Sequence, residues 1–264
     1  MVYICIPAYN EARTVGVLLW KIRQVMADFQ RDYEVLVLDD ASTDDTAEVL
    51  EPYTRVLPLT VLRSPIRQGY AGALEHLLRE AVGRSAYPRR DAIVTLQADF
   101  TDEPAEIPSL IRRIEGGADV VTASALANGS GRAAGEPRGR RLVRRLLACL
   151  LRRRGSAPVQ DPLSGFRAYR VACVKRAIEA RAGEPLLSWE GWAANVELLE
   201  AVRPFCRRVE EARVPVRYDR RRRPTRFRPW QTTRQLLRYA LSRRNGRPAA
   251  APGAAVGATT AGPA

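Results

Sequence analysis

The stretch Ala92-Ile-Val-Thr-Leu-Gln-Ala-Asp99-Phe-Thr-Asp-Glu-Pro104 constrains the fold most strongly. Ala92 to Leu96 is a short apolar, β-branched run, the pattern of a buried strand. It runs into a carboxylate, Asp99, and then into Pro104, a residue suited to the first turn of a helix. An acidic side chain at the carboxyl end of a buried strand stands where open α/β sheets hold their ligands. A hard cation such as Mg²⁺ or Mn²⁺ takes oxygen ligands, and at a phosphate site it needs only one or two carboxylates beside the substrate's own oxygens. Taken alone, Asp99 could equally cap the following helix.

The rest of the chain repeats this design. Val2 to Ile6 is a first strand, broken by Pro7-Ala-Tyr-Asn-Glu11. From Val15 the apolar residues Leu18, Leu19, Ile22, Val25, Met26 and Phe29 fall at helical spacing. Tyr33 to Leu38 is a second strand, ending in Asp39-Asp40, and Ser42-Thr43-Asp44-Asp45 then offers capping side chains. Further strands are expected at Leu57 to Leu62, Asp119 to Ala123, Gly165 to Tyr169 and Arg213 to Tyr218. Helices are expected at Gly69 to Val82, Ile107 to Ile114, Gly139 to Leu151, Val171 to Ala182, Trp189 to Val202 and Gln231 to Ser242. Strands alternating with helices at this spacing predict an α/β fold with a mostly parallel central sheet and right-handed crossovers. The Gly-, Ala- and Arg-rich residues 127–139 read as a loop, and the Ala/Gly/Pro tail from Pro248 as disordered.

Composition narrows the function. The four cysteines, Cys5, Cys149, Cys173 and Cys206, form no C-x-x-C pair and read as reduced thiols of a cytosolic protein. His76 is the single histidine, which argues against a His-based zinc site or a Ser-His-Asp triad. No run of about 18 apolar residues exists, so no transmembrane helix is expected. The first strand starts directly after Met1, so no signal peptide is expected either. Residues 1–120 hold 13 Lys+Arg against 19 Asp+Glu, a net of −6, while residues 121–264 hold 30 against 10, a net of +20. That asymmetry suggests an anionic partner for the second half.

Three strand ends carry function-like residues on one sheet edge. Pro7 and Tyr9 can wall a flat aromatic base, and Glu11 and Asp40 can accept hydrogen bonds from a ribose hydroxyl or a base N–H. Asp99 can hold a metal on a diphosphate. Each segment alone could be a turn or a cap; the three in this order point to a nucleotide site. Together, Pro7-Ala-Tyr-Asn-Glu11, Val37-Leu-Asp-Asp-Ala-Ser-Thr-Asp44 and Leu96-Gln-Ala-Asp99 resemble the family 2 glycosyltransferases of GT-A fold. Asp161-Pro-Leu-Ser-Gly-Phe-Arg167 resembles their polyprenyl-phosphate branch, the dolichol-phosphate mannose synthase-like enzymes.

The resemblance covers roughly residues 2–230 and implies a single GT-A domain over 1–230, with a nucleotide-sugar-binding half (1–125) and an acceptor-side half (126–230). It implies inverting transfer from a UDP- or GDP-sugar to a polyprenyl phosphate or a glycan, with Mg²⁺ or Mn²⁺. Asp40 would bind the nucleobase, with Pro7, Tyr9 and Glu11 around base and ribose. Gln97, Ala98 and Asp99 would occupy the D-x-D motif, Asp99 as metal ligand. Gln97 departs from the motif: its amide oxygen brings no charge, so metal affinity should be lower and Thr101 more useful. Asp161 is the acceptor-side base or positioner and Glu190 its rival, while Arg167 and Arg226 would hold phosphates.

The two basic helices, Gly139 to Leu151 and residues 231–247, admit two readings: peripheral contact with an anionic membrane at the inner face of a cell, or packing of their apolar sides on the protein. Two rival functions remain, an inactive relative that binds a partner, prompted by Gln97, and a nucleic-acid-binding module, prompted by Arg220 to Arg228. The second leaves the acidic strand ends unexplained, so no nucleic-acid partner is expected.

Overall fold

The computed structural model describes residues 1–124, 148–149, 159–214, 234–236 and 238–239. The expected loop at 127–139, almost all of the helix at 139–151, the arginine run with Arg226, and the tail from 248 lie outside the described residues. A seven-stranded sheet with the order β3-β2-β1-β4-β6-β5-β7 forms the centre. Its strands are β1 (Val2–Ala8), β2 (Tyr33–Asp40), β3 (Leu59–Ser64), β4 (Ala92–Thr95), β5 (Val120–Ser124), β6 (Arg167–Arg170) and β7 (Val209–Arg213). All run parallel except β6, which is antiparallel to both β4 and β5. The mostly parallel α/β architecture expected from the sequence is therefore present, with one reversed strand.

The helices α1 (Val15–Phe29), α2 (Thr46–Leu50) and α4 (Ile107–Glu115) alternate along the chain with α3 (Gly69–Arg84), followed later by α5 (Val171–Glu179) and α6 (Trp192–Val202). Side-chain alternation along the strands divides the core. Val2, Ile4 and Ile6 of β1 pack with Leu18 and Leu19 of α1 and Leu110 and Ile114 of α4. Tyr3 and Cys5 face the other way, onto Leu74, Leu77 and Leu78 of α3, Val174 of α5 and Leu198 of α6. Strands buried on both faces read as near-continuous apolar runs, which is why β1, β2 and β4 were legible.

Several boundaries differ from the sequence pattern. β1 continues through Pro7 to Ala8 because β4 stops opposite Cys5, so the missing N–H of Pro7 points to a side where no strand pairs. β7 occupies Val209–Arg213, ahead of the strand expected at 213–218, of which residues 215–218 lie outside the described set. β7 is the outer strand, only partly covered, so Val209-Glu-Glu-Ala-Arg213 carries too little apolar alternation to stand out. The helix expected from Trp189 begins at Trp192, after Gly191 takes a positive φ of 61°. Of the C-terminal helix, Leu236 and Tyr239 are buried against Trp189, Ala193 and Val196, while Arg234, Gln235 and Arg238 face outward. At these positions the apolar side packs on the protein.

Candidate active site

Parallel strands deliver their carboxyl ends to one edge, and the loops that follow β1, β2 and β4 meet there. Each loop turns on a non-glycine residue in the left-handed region: Asn10 at φ 52°, Ala41 at 56° and Phe100 at 62°. Such residues are uncommon, and Ala and Phe there are strained, a condition that clusters at ligand sites. The first two loops are laced together. The Asn10 amide donates to Ser42 Oγ at 2.9 Å, Thr43 N–H to Asn10 Oδ1 at 2.8 Å and Glu11 N–H to Thr46 Oγ1 at 2.9 Å. Glu11 is buried and its Oε2 accepts from Thr14 Oγ1 at 2.9 Å. Tyr9 is half-buried, and the Arg67 guanidinium lies over its ring, 4.0 Å from the centroid. Arg67 carries no motif of its own; only its position places it at this edge.

Asp40 is buried, with its two oxygens accepting the Gln68 amide at 2.6 Å and the Gly69 amide at 2.9 Å. Glu190 Oε2 takes the next two amides of the same helix start, Tyr70 at 3.0 Å and Ala71 at 3.4 Å. Two carboxylates thus hold four consecutive N–H groups at the opening of α3, donors a helix cannot satisfy internally. Gly69 has a φ of 81°, and a Cβ there would come within 2.5 Å of Glu190 Oε1, so both backbone and space require glycine. Burial raises the Glu190 carboxyl above its ordinary value; the Ala71 and Tyr70 amides oppose that shift and the charge of Asp40 adds to it.

After β4 the chain passes through half-exposed Gln97 and buried Ala98 to buried Asp99. Asp99 Oδ1 accepts the Thr101 amide at 3.0 Å, and Asp102 Oδ2 accepts the Gln97 amide at 2.9 Å. Thr101 Oγ1 is buried and makes no hydrogen bond with any described residue. Among the described residues no three His, Cys, Asp or Glu side chains converge as a metal cage. A buried carboxylate beside a buried, unbonded hydroxyl oxygen does fit a hard cation that brings further oxygen ligands with it.

Pairing of β6 with β4 brings the Asp161 segment to the same edge. Thr95 lies opposite Arg167, and Thr95 Oγ1 donates to the Gly165 carbonyl at 2.7 Å. Glu211 holds the segment from the other side, accepting the Gln160 amide at 3.0 Å and the Asp161 amide at 2.9 Å. Gly165 is hemmed in, since a Cβ there would sit 3.0 Å from Tyr70 Oη and 3.1 Å from Asn195 Nδ2. Arg167, expected to grip phosphate, is 0% exposed and donates to the carbonyls of Pro162 at 2.6 Å and Asn195 at 2.5 Å. It pins the Asp161 segment from beneath and offers nothing to a ligand, because β6 turns it inward. Pro7, Tyr9, Glu11, Asp40, Gln97, Ala98, Asp99, Asp161 and Glu190 thus surround one edge, and Arg226 lies outside the described residues. Asn195 and Tyr70, joined by a 2.8 Å hydrogen bond, escaped the sequence because neither belongs to a motif.

A mostly parallel sheet of this order, with one reversed strand and acidic residues after β1, β2 and β4, is the GT-A type of fold that the sequence led us to expect. The family model for glycosyl transferase family 2 matches residues 3–177, and the chain belongs to that family. It is 30% identical over 178 residues to a dolichol-phosphate mannosyltransferase of Pyrococcus furiosus, covering 66% of this chain and 47% of that one. It is 27% identical over 214 residues to an undecaprenyl-phosphate 4-deoxy-4-formamido-L-arabinose transferase of Pectobacterium atrosepticum, covering 77% of this chain and 61% of the relative. The chain therefore spans about half of the length of these curated relatives. The crystal structure of a Mycobacterium tuberculosis glucosyl-3-phosphoglycerate synthase with Mn²⁺, UDP-glucose and phosphoglyceric acid shares the fold, with a TM-score of 0.62, 23% identity, and coverage of 94% of this chain and 81% of that one. No helix among the described residues is long and apolar enough to cross a membrane.

Proposed function

We propose that this chain transfers a sugar, with inversion, from a nucleotide diphosphate to a polyprenyl phosphate. The observation that carries the reading is the meeting of Tyr9, Glu11, Asp40 and Asp99 on one edge of the sheet, presented at the ends of three different strands. Tyr9 and Pro7 stack a base, Glu11 contacts the ribose, and Asp40 meets the base with the lone pairs its two amide bonds leave over. Asp99 and Thr101 Oγ1 are the residues that would hold Mg²⁺ or Mn²⁺, which offsets charge on a diphosphate leaving group. Gln97 leaves this site one charge short of a two-carboxylate version, so the substrate's phosphates supply more of the ligation.

Inversion needs an acceptor oxygen on the face of the sugar opposite the diphosphate. Asp161 reaches this edge through the β4–β6 pairing and positions that oxygen; a phosphate acceptor is already anionic and needs no base. Glu190 holds the start of α3, and we assign it to that task and the acceptor side to Asp161. The polyprenyl-phosphate acceptor is suggested by the names of the relatives, and an acceptor of that kind would bring the protein to the inner face of a membrane. Outward-facing Arg234 and Arg238 suit contact with anionic headgroups.

Calorimetric titration with UDP and GDP, each with and without Mn²⁺, tests the reading. One nucleotide should bind, more tightly with metal, and Asp99→Asn should remove the metal-dependent part. Absence of binding to either nucleotide would favour the partner-binding, inactive relative that Gln97 suggests.

A further inference from the structure

A cleft of about 660 Å³ opens far from the nucleotide edge, between the turn before β4 and the outer face of α5. The other described cleft, along α3, shares Glu190 with the site above. The distant cleft is lined by Tyr87, Arg89, Arg90, Lys175, Arg176 and Glu179. β4 runs from this end of the sheet toward Asp99, so a ligand here sits at the opposite edge from the donor site.

The rim is built rather than incidental. Asp91 Oδ2 accepts from Ser85 Oγ at 2.6 Å and from the Tyr87 amide at 3.2 Å. The Arg90 and Asp91 amides both donate to the Tyr87 carbonyl, at 2.8 and 2.9 Å. Arg170 Nη1 donates to the Arg89 carbonyl at 2.6 Å, and the Ala172 amide of α5 to the Pro88 carbonyl at 2.8 Å. The turn and the helix are therefore fixed against each other before any ligand arrives.

The charges on this rim do not balance. Arg79, Arg84, Arg113 and Arg170 each pair with an acid. Arg89, Arg90, Lys175 and Arg176 make no ion pair or side-chain hydrogen bond among the described residues, although Glu179 stands on the same rim. Four cations around one concavity repel one another, and a cleft focuses their field toward an incoming anion. Tyr87, 67% exposed, adds a hydroxyl donor and an aromatic face.

We infer that this cleft binds a phosphate-bearing anion of two or more charges. Planar guanidinium groups match phosphate oxygens in pairs, and the lysine adds a compact charge. A soluble diphosphate and a lipid phosphate headgroup present the same chemistry. The proposal is independent of the transferase reading, since no residue of the donor edge takes part.

The test titrates the full chain with pyrophosphate in EDTA, and sediments it with vesicles of phosphatidylglycerol and phosphatidylcholine in equal parts. Arg90→Ala/Arg176→Ala should weaken binding by at least about tenfold, the effect of losing two charge-assisted contacts. Glu179→Gln should tighten it. Loss with pyrophosphate alone identifies a soluble phosphate compound; loss with vesicles identifies a headgroup. Arg89→Ala/Lys175→Ala is a second pair should the first fold poorly; all four side chains lie on the surface. Wild-type protein that binds neither probe, or folded double variants that bind both unchanged, would overturn the proposal.

Discussion

The two halves of the site are held together by different means. On the nucleotide side, the loops after β1 and β2 are neighbours because their strands are neighbours, and short polar side chains lace them: Asn10, Ser42, Thr43, Asp44 and Thr46. On the acceptor side, long side chains reach across the chain. Glu75 accepts the Leu186 and Leu187 amides at 3.0 and 2.9 Å, and Glu197 accepts those of Ser188 and Trp189 at 2.8 and 3.0 Å. Glu211 holds residues 160 and 161, Glu190 holds residues 70 and 71, and Arg167 holds Pro162 and Asn195. The difference teaches that one wall follows mainly from strand order, whereas the other depends mainly on charged side chains, from buried Arg167 to exposed Glu190, that each bridge two backbone groups, as Asp40 also does on the nucleotide side.

If that contrast is right, damage to the acceptor side should be larger. Arg167→Ala strands two buried carbonyls and leaves a cavity, so it should lower stability by about 3 to 5 kcal/mol in urea unfolding. A loss below about 1 kcal/mol would show that the Asp161 segment is held by something else. Glu75→Ala strands two amides and should cost about 2 to 4 kcal/mol. Glu75→Gln should recover part of that, because an amide oxygen still accepts; equal losses in the two variants would mean that the clamp works through charge alone. Gly165→Ala forces a methyl against Tyr70 and Asn195 and should cost about 1 to 3 kcal/mol. A neutral result there would show that the two side chains can step aside.

The nucleotide side should respond less. Asp44 accepts the Thr46 amide at 3.1 Å at the start of α2, and Asp44→Ala should cost about 1 kcal/mol, a helix-capping value. A loss matching that of Glu75→Ala would erase the contrast. The smallest effect concerns pH, at the joint between the two sides where Asp40 and Glu190 share the start of α3. Burial raises the Glu190 carboxyl above the ordinary value of 4.5. Its contribution is complete below that value and is lost as pH rises through the raised one. Thermal unfolding over a pH series should therefore show a shallower decline across that window in Glu190→Gln. An unchanged slope would mean that the amides of Tyr70 and Ala71 offset burial in full.

Legibility followed the same divide. The strand ends at Glu11, Asp40 and Asp99 were readable because buried parallel strands are apolar runs that stop abruptly at polar residues. Asp161 was readable by its resemblance, but Arg167, six residues on and chemically suited to gripping phosphate, was misplaced. A guanidinium in a short strand gives no local sign of facing the core rather than a ligand. β7 at Val209–Arg213 was not legible, since an outer strand needs little apolar alternation.

The sequence by itself determined the alternation of strands and helices, the three loops of the nucleotide edge and the substitution of Gln97 in the motif. Periodicity and turn chemistry act over a few residues and survive in the linear text. Tertiary structure alone decided the reversal of β6 between β4 and β5, the burial of Arg167, the sharing of the α3 start by Asp40 and Glu190, and the docking of Leu236 and Tyr239 on Trp189. Each joins residues distant in the chain, and a buried charge or ring finds its partner only once the layers have closed around it.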